Sequence, residues 1–344
     1  MLCNVLNNLQ QTLKNHTACY EWVFYFFYLF FGYLLLGVVK VKRKVIQIAN
    51  STQLISLPRK WSLKYNIKKG DELDLEEDGD KIIIRTETTP TVREITVDVS
   101  GLTPRLADRF IARSYQKGYD TIVVKYDQPE LAIAIQNKVT ELLGFEIMER
   151  TKDTMLIKSI SQKIDMDFDT TLRRAFLIVL DMANTCLESF SKGDKKTLEN
   201  LHYKDFDLNK FCYFCLRTIN KGLHSGFGTY ILYYLIESLE DVGDEYKALA
   251  KYLAKIDAKK KNLIKMISKV NELTKMGYEF YYKPEKSKAV SSITLYNGIK
   301  EEIRNLLTTK DINEAAALNS LDLIARIVYH YPTMRLDTLK GMGG

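Results

Sequence analysis

Residues 232–253 read LYYLIESLEDVGDEYKALAKYL. Leu232, Leu235, Leu239, Val242, Tyr246, Leu249 and Leu253 recur at steps of three and four, the period of one buried helical face. Beside that face runs a second stripe, Glu237, Glu240, Asp241 and Asp244, at i, i+3, i+4 and i+7. Like charges at this spacing repel by roughly a few tenths of a kcal/mol per pair. A stripe that is nevertheless kept implies a nearby cation, either Lys or Arg or a hard metal with oxygen ligands. Asp205 and Asn209, four residues apart, are placed to face it from the preceding helix.

The helical period extends in both directions. Leu172, Phe176, Val179, Ala183, Cys186 and Phe190 mark a first helix, and Leu208, Phe211, Cys215 and Ile219 a second. Three further runs follow, Lys261 to Met276, Ile293 to Leu307 and Asn313 to Tyr331. Six helices in two sets of three predict an antiparallel bundle over residues 165–335. Cys212 and Cys215 form a C-x-x-C, but their apolar neighbours FCYFCL and the helical setting predict buried core thiols. The five cysteines are an odd count in a long chain, which points to a reducing compartment and not to a disulfide framework. The four histidines are scattered and form no ligand pattern.

Ahead of the bundle, residues 92–160 predict a small βαβαββ segment. EITVDVS is a strand, and TPRLADRFIARSYQKG a helix with Thr103 as cap, Pro104 at its start and Gly118 at its end. TIVVKY is a strand, and PELAIAIQNKVTELLG a second helix, opened by Pro129 and closed by Gly144. FEIMER and TMLIKS complete it. The segment holds no nucleophile, Gly-rich phosphate loop or metal cluster. Asp127 reads as a loop and helix-entry residue.

Residues 41–88 change character again. KVIQIA is a strand, NSTQ a turn and LISL a second strand. Pro58 opens a short helix over PRKWSLKYN, Gly70 turns the chain into DELDLEE, and Asp78-Gly79 predicts a hairpin into KIIIRT. A unit this small needs a partner chain to bury enough surface. The residues NSTQLISLPRKW, NIKKGDELDL and DGDKIII resemble the SpoVT/AbrB swapped-hairpin family, with its L-P pair at Leu57-Pro58 and its G-D pair at Gly70-Asp71. The resemblance implies a homodimer in which two copies interleave into one DNA-binding β barrel. Lys42, Arg43 and Lys44, with Arg59 and Lys60 at the helix, are then the residues expected to meet phosphates, and Arg can also read guanine edges. In the first turn Ser51-Thr52-Gln53 stands where strong DNA binders of this family often carry Gly-Arg.

Residues 1–40 form a hydrophobic extension. From Trp22 to Val39 there are roughly 18 uncharged residues, enough to span a bilayer. The Lys40, Lys42, Arg43 and Lys44 that follow would hold the bulk of the chain in the cytoplasm. The alternative is a start codon set too early, the protein beginning near Val38, Val39 or Val41. In that reading the chain is cytoplasmic. A membrane partner, and an inner-membrane anchor, enters only if residues 22–39 are translated.

The bundle completes the picture. Leu239-Glu240-Asp241-Val242-Gly243-Asp244, the doubled Arg173-Arg174, the acidic Asp205 and Asp207, and Arg217 resemble the archaeal-type PhoU family, whose third helix reads L-E-R-I-G-D. In that family such carboxylates hold metal clusters. The resemblance implies metal ions at Asp205, Glu240 and Asp244, and a phosphate-transport component as partner. Asn209 departs from the Asp usual there, and in the second repeat Arg326 replaces the acidic partner of Asp322, so no metal is expected at that second place. The whole reads as a multidomain α+β chain: swapped-hairpin module, α/β segment and PhoU-like bundle of two three-helix repeats. Its 344 residues suit two or three domains. A net charge of +7 permits nucleic acid without demanding it. No Ser/His/Asp set, Walker loop or cofactor fingerprint is present, so the chain is read as no enzyme but as a DNA-binding regulator of phosphate uptake. An antitoxin-like binding module and a membrane-tethered transporter adaptor are the alternatives.

Overall fold

A computed structural model of the chain describes residues 41–48, 52–78, 81–86, 92–160, 166–224, 228–256 and 260–338. The hydrophobic stretch at 22–39 lies outside them. Among the described residues no helix is long and apolar enough to cross a membrane. The chain divides into two compact units, the first taking Met1–Leu75 with Ile84–Thr88, the second Glu76–Ile83 and Thr89–Gly344.

In the front module, β1 (Ile46–Ile48) pairs antiparallel with β2 (Thr52–Leu54), Gln47 opposite Gln53. The second strand comes earlier than LISL predicted. Thr52 already faces Ile48, so pairing takes residues assigned to the turn and is over by Leu54. Helix α1 (Arg59–Lys64) follows, with Pro58 one residue outside it at the cap position. Gly70, at φ 96°, takes the left-handed turn that only glycine adopts freely. β3 (Leu73–Asp78) and β4 (Lys81–Thr86) form a second two-stranded sheet. The described residues of one chain thus show two hairpin ladders and no closed barrel. The reason is burial: every described residue of β1 and β2 is exposed, and α1 buries none.

From Thr89 onward the second unit carries a four-stranded sheet in the order β5-β6-β8-β7. β5 (Glu94–Asp98) is parallel to β6 (Thr121–Lys125), which is antiparallel to β8 (Thr154–Ser159), itself antiparallel to β7 (Phe145–Arg150). Helices α2 (Pro104–Gln116) and α3 (Pro129–Val139) pack with the sheet around Ile111, Tyr115, Ile122, Val124, Leu131, Ile135 and Ile157. Thr103 stands at the cap of α2, but its side chain makes no capping hydrogen bond. α3 stops five residues short of Gly144. Its last amides bond three residues back, Thr140 N–H to Asn137 O and Glu141 N–H to Lys138 O, which tightens and closes the helix. The Asp127 carboxylate accepts from Gly101 N–H at 3.1 Å and ties two loops together.

The helical part holds α4 (Phe168–Lys192), α5 (Lys195–Glu199), α6 (His202–Asn220), α7 (Thr229–Leu253), α8 (Lys261–Tyr282), α9 (Lys286–Leu306), α10 (Ile312–Tyr329) and α11 (Tyr331–Thr338). α7 packs on α4, α6 and α10, and its predicted apolar stripe is buried throughout. The six long helices are the predicted ones; the short α5, capped by Asp194, and α11 are additions. α8 runs past Met276 because Gly277 serves packing and not termination. A Cβ there would lie 3.0 Å from Val328 and 3.1 Å from Tyr331. α9 begins before Ile293, and its start is hidden in the sequence because it buries only Ser292, Ile299 and Ile303.

Candidate functional site

The acidic stripe of α7 is brought against α6 by Gly243. A Cβ at that position would overlap the Leu208 Cδ2 methyl, and Leu208 is fully buried. Glycine in mid-helix costs about 1 kcal/mol relative to alanine, and here it admits the close approach of the two helices. The stripe then meets three layers of partners. Glu237 takes the Arg113 guanidinium of α2, with Nη2 at 2.9 Å from Oε2. Lys247, one turn beyond Asp244, sends its ammonium to Asp205 Oδ2 at 2.5 Å and to Asp244. Glu240 Oε1 accepts from the Tyr213 hydroxyl at 3.2 Å.

The α/β segment extends this network. Lys138 donates to both oxygens of Glu141 at 2.9 Å, and Glu141 Oε2 also accepts from the Asn209 amide at 3.2 Å. Burial, reinforced by Glu237, Asp244 and Asp241, pushes Glu240 up to about 8, while Arg113 opposes the rise. Burial and Glu237 likewise push Asp241 to about 6. Burial raises Asp205 although Lys247 pulls it down.

The predicted ligands therefore take different partners. Asp205 and Asp244 are brought together, but through a lysine; Glu240 stands beside a tyrosine. Asp205 Oδ1, Asn209 Oδ1 and Glu240 Oε2 are buried without a hydrogen-bond partner. Those oxygens have the donor character a hard cation needs. The arrangement around them does not: Lys247 fills the place where Asp205 and Asp244 would share an ion. Among the described residues no group of three or more His, Cys, Asp or Glu side chains is arranged to hold a metal. The residues as they stand do not fit the metal that the family resemblance implies. In the second repeat Arg326 closes on Asp322 at 2.8 Å. Of the residues the sequence reading passed over, Lys247 was findable, since it lies three after Asp244 and seven after Glu240 on the same face. Arg113, Lys138 and Glu141 carry no such signal.

Beside this network a second connection joins the α/β segment to the bundle. Arg217 of α6, 6% exposed, donates to Tyr115 O at 3.0 Å and Tyr119 O at 2.7 Å, and pairs with Asp120. Its guanidinium lies 4.9 Å from the Tyr115 ring centroid and 4.8 Å from that of Phe145. Lys221 reaches Asp120 at 2.6 Å. Burial pushes Asp120 up, but Lys221, the Arg93 amide and Arg217 outweigh it and leave the carboxyl below its ordinary range. Cys212 and Cys215 are buried core thiols, as their setting predicted.

The predicted nucleic-acid residues sit on the front module. Lys42, Arg43, Lys44, Arg59 and Lys60 are all exposed. Arg43 is held by its bonds to Ser56 O and Lys42 O, both 3.3 Å. Arg59 and Lys60 open α1. The same module exposes Val45, Ile46, Ile48, Leu54, Ile55 and Leu63.

Residues 46–93 match a family described as Antidote-toxin recognition MazE, bacterial antitoxin. No curated protein sequence matches the chain. Among solved structures, the chain is similar to the phosphate transport system regulatory protein PhoU from Streptococcus pneumoniae, at 15% identity over 49% of this chain and 91% of that one, with a TM-score of 0.42. It is likewise similar to PhoU from Pseudomonas aeruginosa, at 13% identity over 49% and 94%, again with a TM-score of 0.42.

Proposed function

We propose that this protein is a DNA-binding regulator of phosphate uptake, a non-enzyme that works as a homodimer through its front module. One observation carries the reading: the front module displays its apolar side chains to solvent in a single chain, next to a cluster of exposed cations. So many aliphatic side chains left in water on a module of this size are a surface awaiting a second copy. Interleaving two copies would turn the two hairpin ladders into one barrel and present Lys42, Arg43, Lys44, Arg59 and Lys60 twice over on it. Phosphates then supply affinity, and Arg43 or Arg59 supplies any base contact. The regulatory role is supported by the L-E-D-V-G-D motif and the helical repeats, which suit a docking part for a phosphate-transport component. No metal is assigned to it.

The match to the MazE antitoxin favours a second reading, in which the front module serves a protein partner as antitoxins do. Fluorescence anisotropy with the full chain separates the two. Binding its own promoter more tightly than random duplex supports the regulator. Changing Lys42, Arg43 and Lys44 to Ala should then reduce the slope of log affinity against log salt by roughly 2 to 3. Failure to bind any duplex at low salt refutes DNA binding and leaves the protein-partner reading.

A further inference from the structure

We infer that the carboxylate face of the first helical repeat is closed from within the chain: Lys247 and the α2–α3 side of the α/β segment occupy the ground where a divalent cation would be held, so the face is an intramolecular docking surface and needs no metal. The inference is independent of whether the front module binds DNA.

Three residues, two of them departures from the motif, become intelligible together. The first is Lys247. Its ammonium is shared by Asp205, 2% exposed, and Asp244, supplying the positive charge that two converging carboxylates require. The second is Asn209, where an Asp is usual in the family it resembles. Its amide donates to Glu141 of the α/β segment at 3.2 Å. An Asp at that position would set two carboxylates against each other in a buried place, so the docked α/β segment requires the neutral amide. The third is Arg326, which pairs with Asp322 in the second repeat and repeats the device there. From the other side, α2 delivers Arg113 to Glu237, and Tyr213 of α6 sits in the hydrophobic cluster of the α/β segment while its hydroxyl donates to Glu240 Oε1. The covering segment thus contributes a cation, a carboxylate and core contacts to one face. Seven carboxyl groups there, Asp108, Glu141, Asp205, Glu237, Glu240, Asp241 and Asp244, meet Arg113, Lys138 and Lys247.

The test titrates MnCl2 and ZnCl2 into the EDTA-dialysed full chain by calorimetry, with thermal unfolding in parallel. The unaltered chain should show no saturable binding and the same unfolding midpoint with and without EDTA. Lys247→Ala should gain saturable binding at least ten-fold tighter than the unaltered chain, and Asp205→Asn in the same chain should remove it. Asn209→Asp should lower the midpoint, and Glu141→Gln should restore it. Stoichiometric binding by the unaltered chain that Asp205→Asn abolishes overturns the inference. So does a folded Lys247→Ala variant with no gain in affinity. Should Lys247→Ala fail to fold, titration of the unaltered chain and the Asn209/Glu141 pair decide the matter.

Discussion

Replacing Arg217 with Ala tests whether the α/β segment and the bundle share one stability. Three acceptors lose their donor: Tyr115 O, Tyr119 O and Asp120. Removing one partner of a buried ion pair costs about 3–5 kcal/mol, and each stranded buried acceptor about 1–3 kcal/mol. These figures overlap, and Asp120 keeps Lys221 and the Arg93 amide, so the low end applies, about 3 kcal/mol. Lost stacking on Tyr115 and Phe145 adds to it. Against a domain stability of about 5–15 kcal/mol this is a large share. Arg217→Lys keeps the charge but cannot serve three acceptors and two rings at once, and should recover less than half of the loss. Urea unfolding gives the energy and amide hydrogen exchange gives the place. Protection should fall in β6, α2 and α6 together. A loss below about 0.5 kcal/mol, the range of an ordinary surface change, refutes the reasoning, and so does lowered protection confined to α6.

Gly243→Ala should destabilise by about 1–3 kcal/mol through overlap with buried Leu208, outweighing the gain in helix propensity; a raised melting temperature would contradict this. Glu240→Gln should flatten the pH dependence of stability. Glu240, facing Glu237, Asp241, Asp244, Arg113 and Tyr213, is protonated in the fold up to about 8, against an ordinary value of 4.5 in the unfolded chain. The fold therefore binds a proton the unfolded chain has released, so this stability is full below 4.5 and is lost as pH rises through about 8. Unfolding free energies at pH 6 and 8 should differ between the two chains by up to about 1.4 kcal/mol per pH unit, and parallel pH profiles would show the assignment to be wrong. Asp167 accepts from Thr170 N–H at the start of α4, so Asp167→Ala should cost about 1 kcal/mol in urea unfolding; no change would show that the cap contributes nothing.

The sequence alone determined the elements whose signal is local. The three-and-four steps of Leu172 to Phe190 and of Leu232 to Leu253 placed α4 and α7 and their buried faces, because helical period and burial are the same fact along one chain. Pro104, Pro129 and Gly118 bounded α2 and α3 for equally local reasons. The limits of β2 and the start of α9 were beyond it, since pairing register and a weakly buried face leave little trace in spacing. The acidic stripe was legible as a demand for positive charge, and Lys247 lay within sight of it. What answered that demand was decided by the tertiary structure. Arg113 and Glu141 lie in another segment, and only packing of the α/β segment on α6 and α7 brings a guanidinium to Glu237 and a carboxylate to the Asn209 amide. A charge on a helix face is written in its own sequence, whereas the partner that neutralises it is fixed by which surfaces the folded chain presses together.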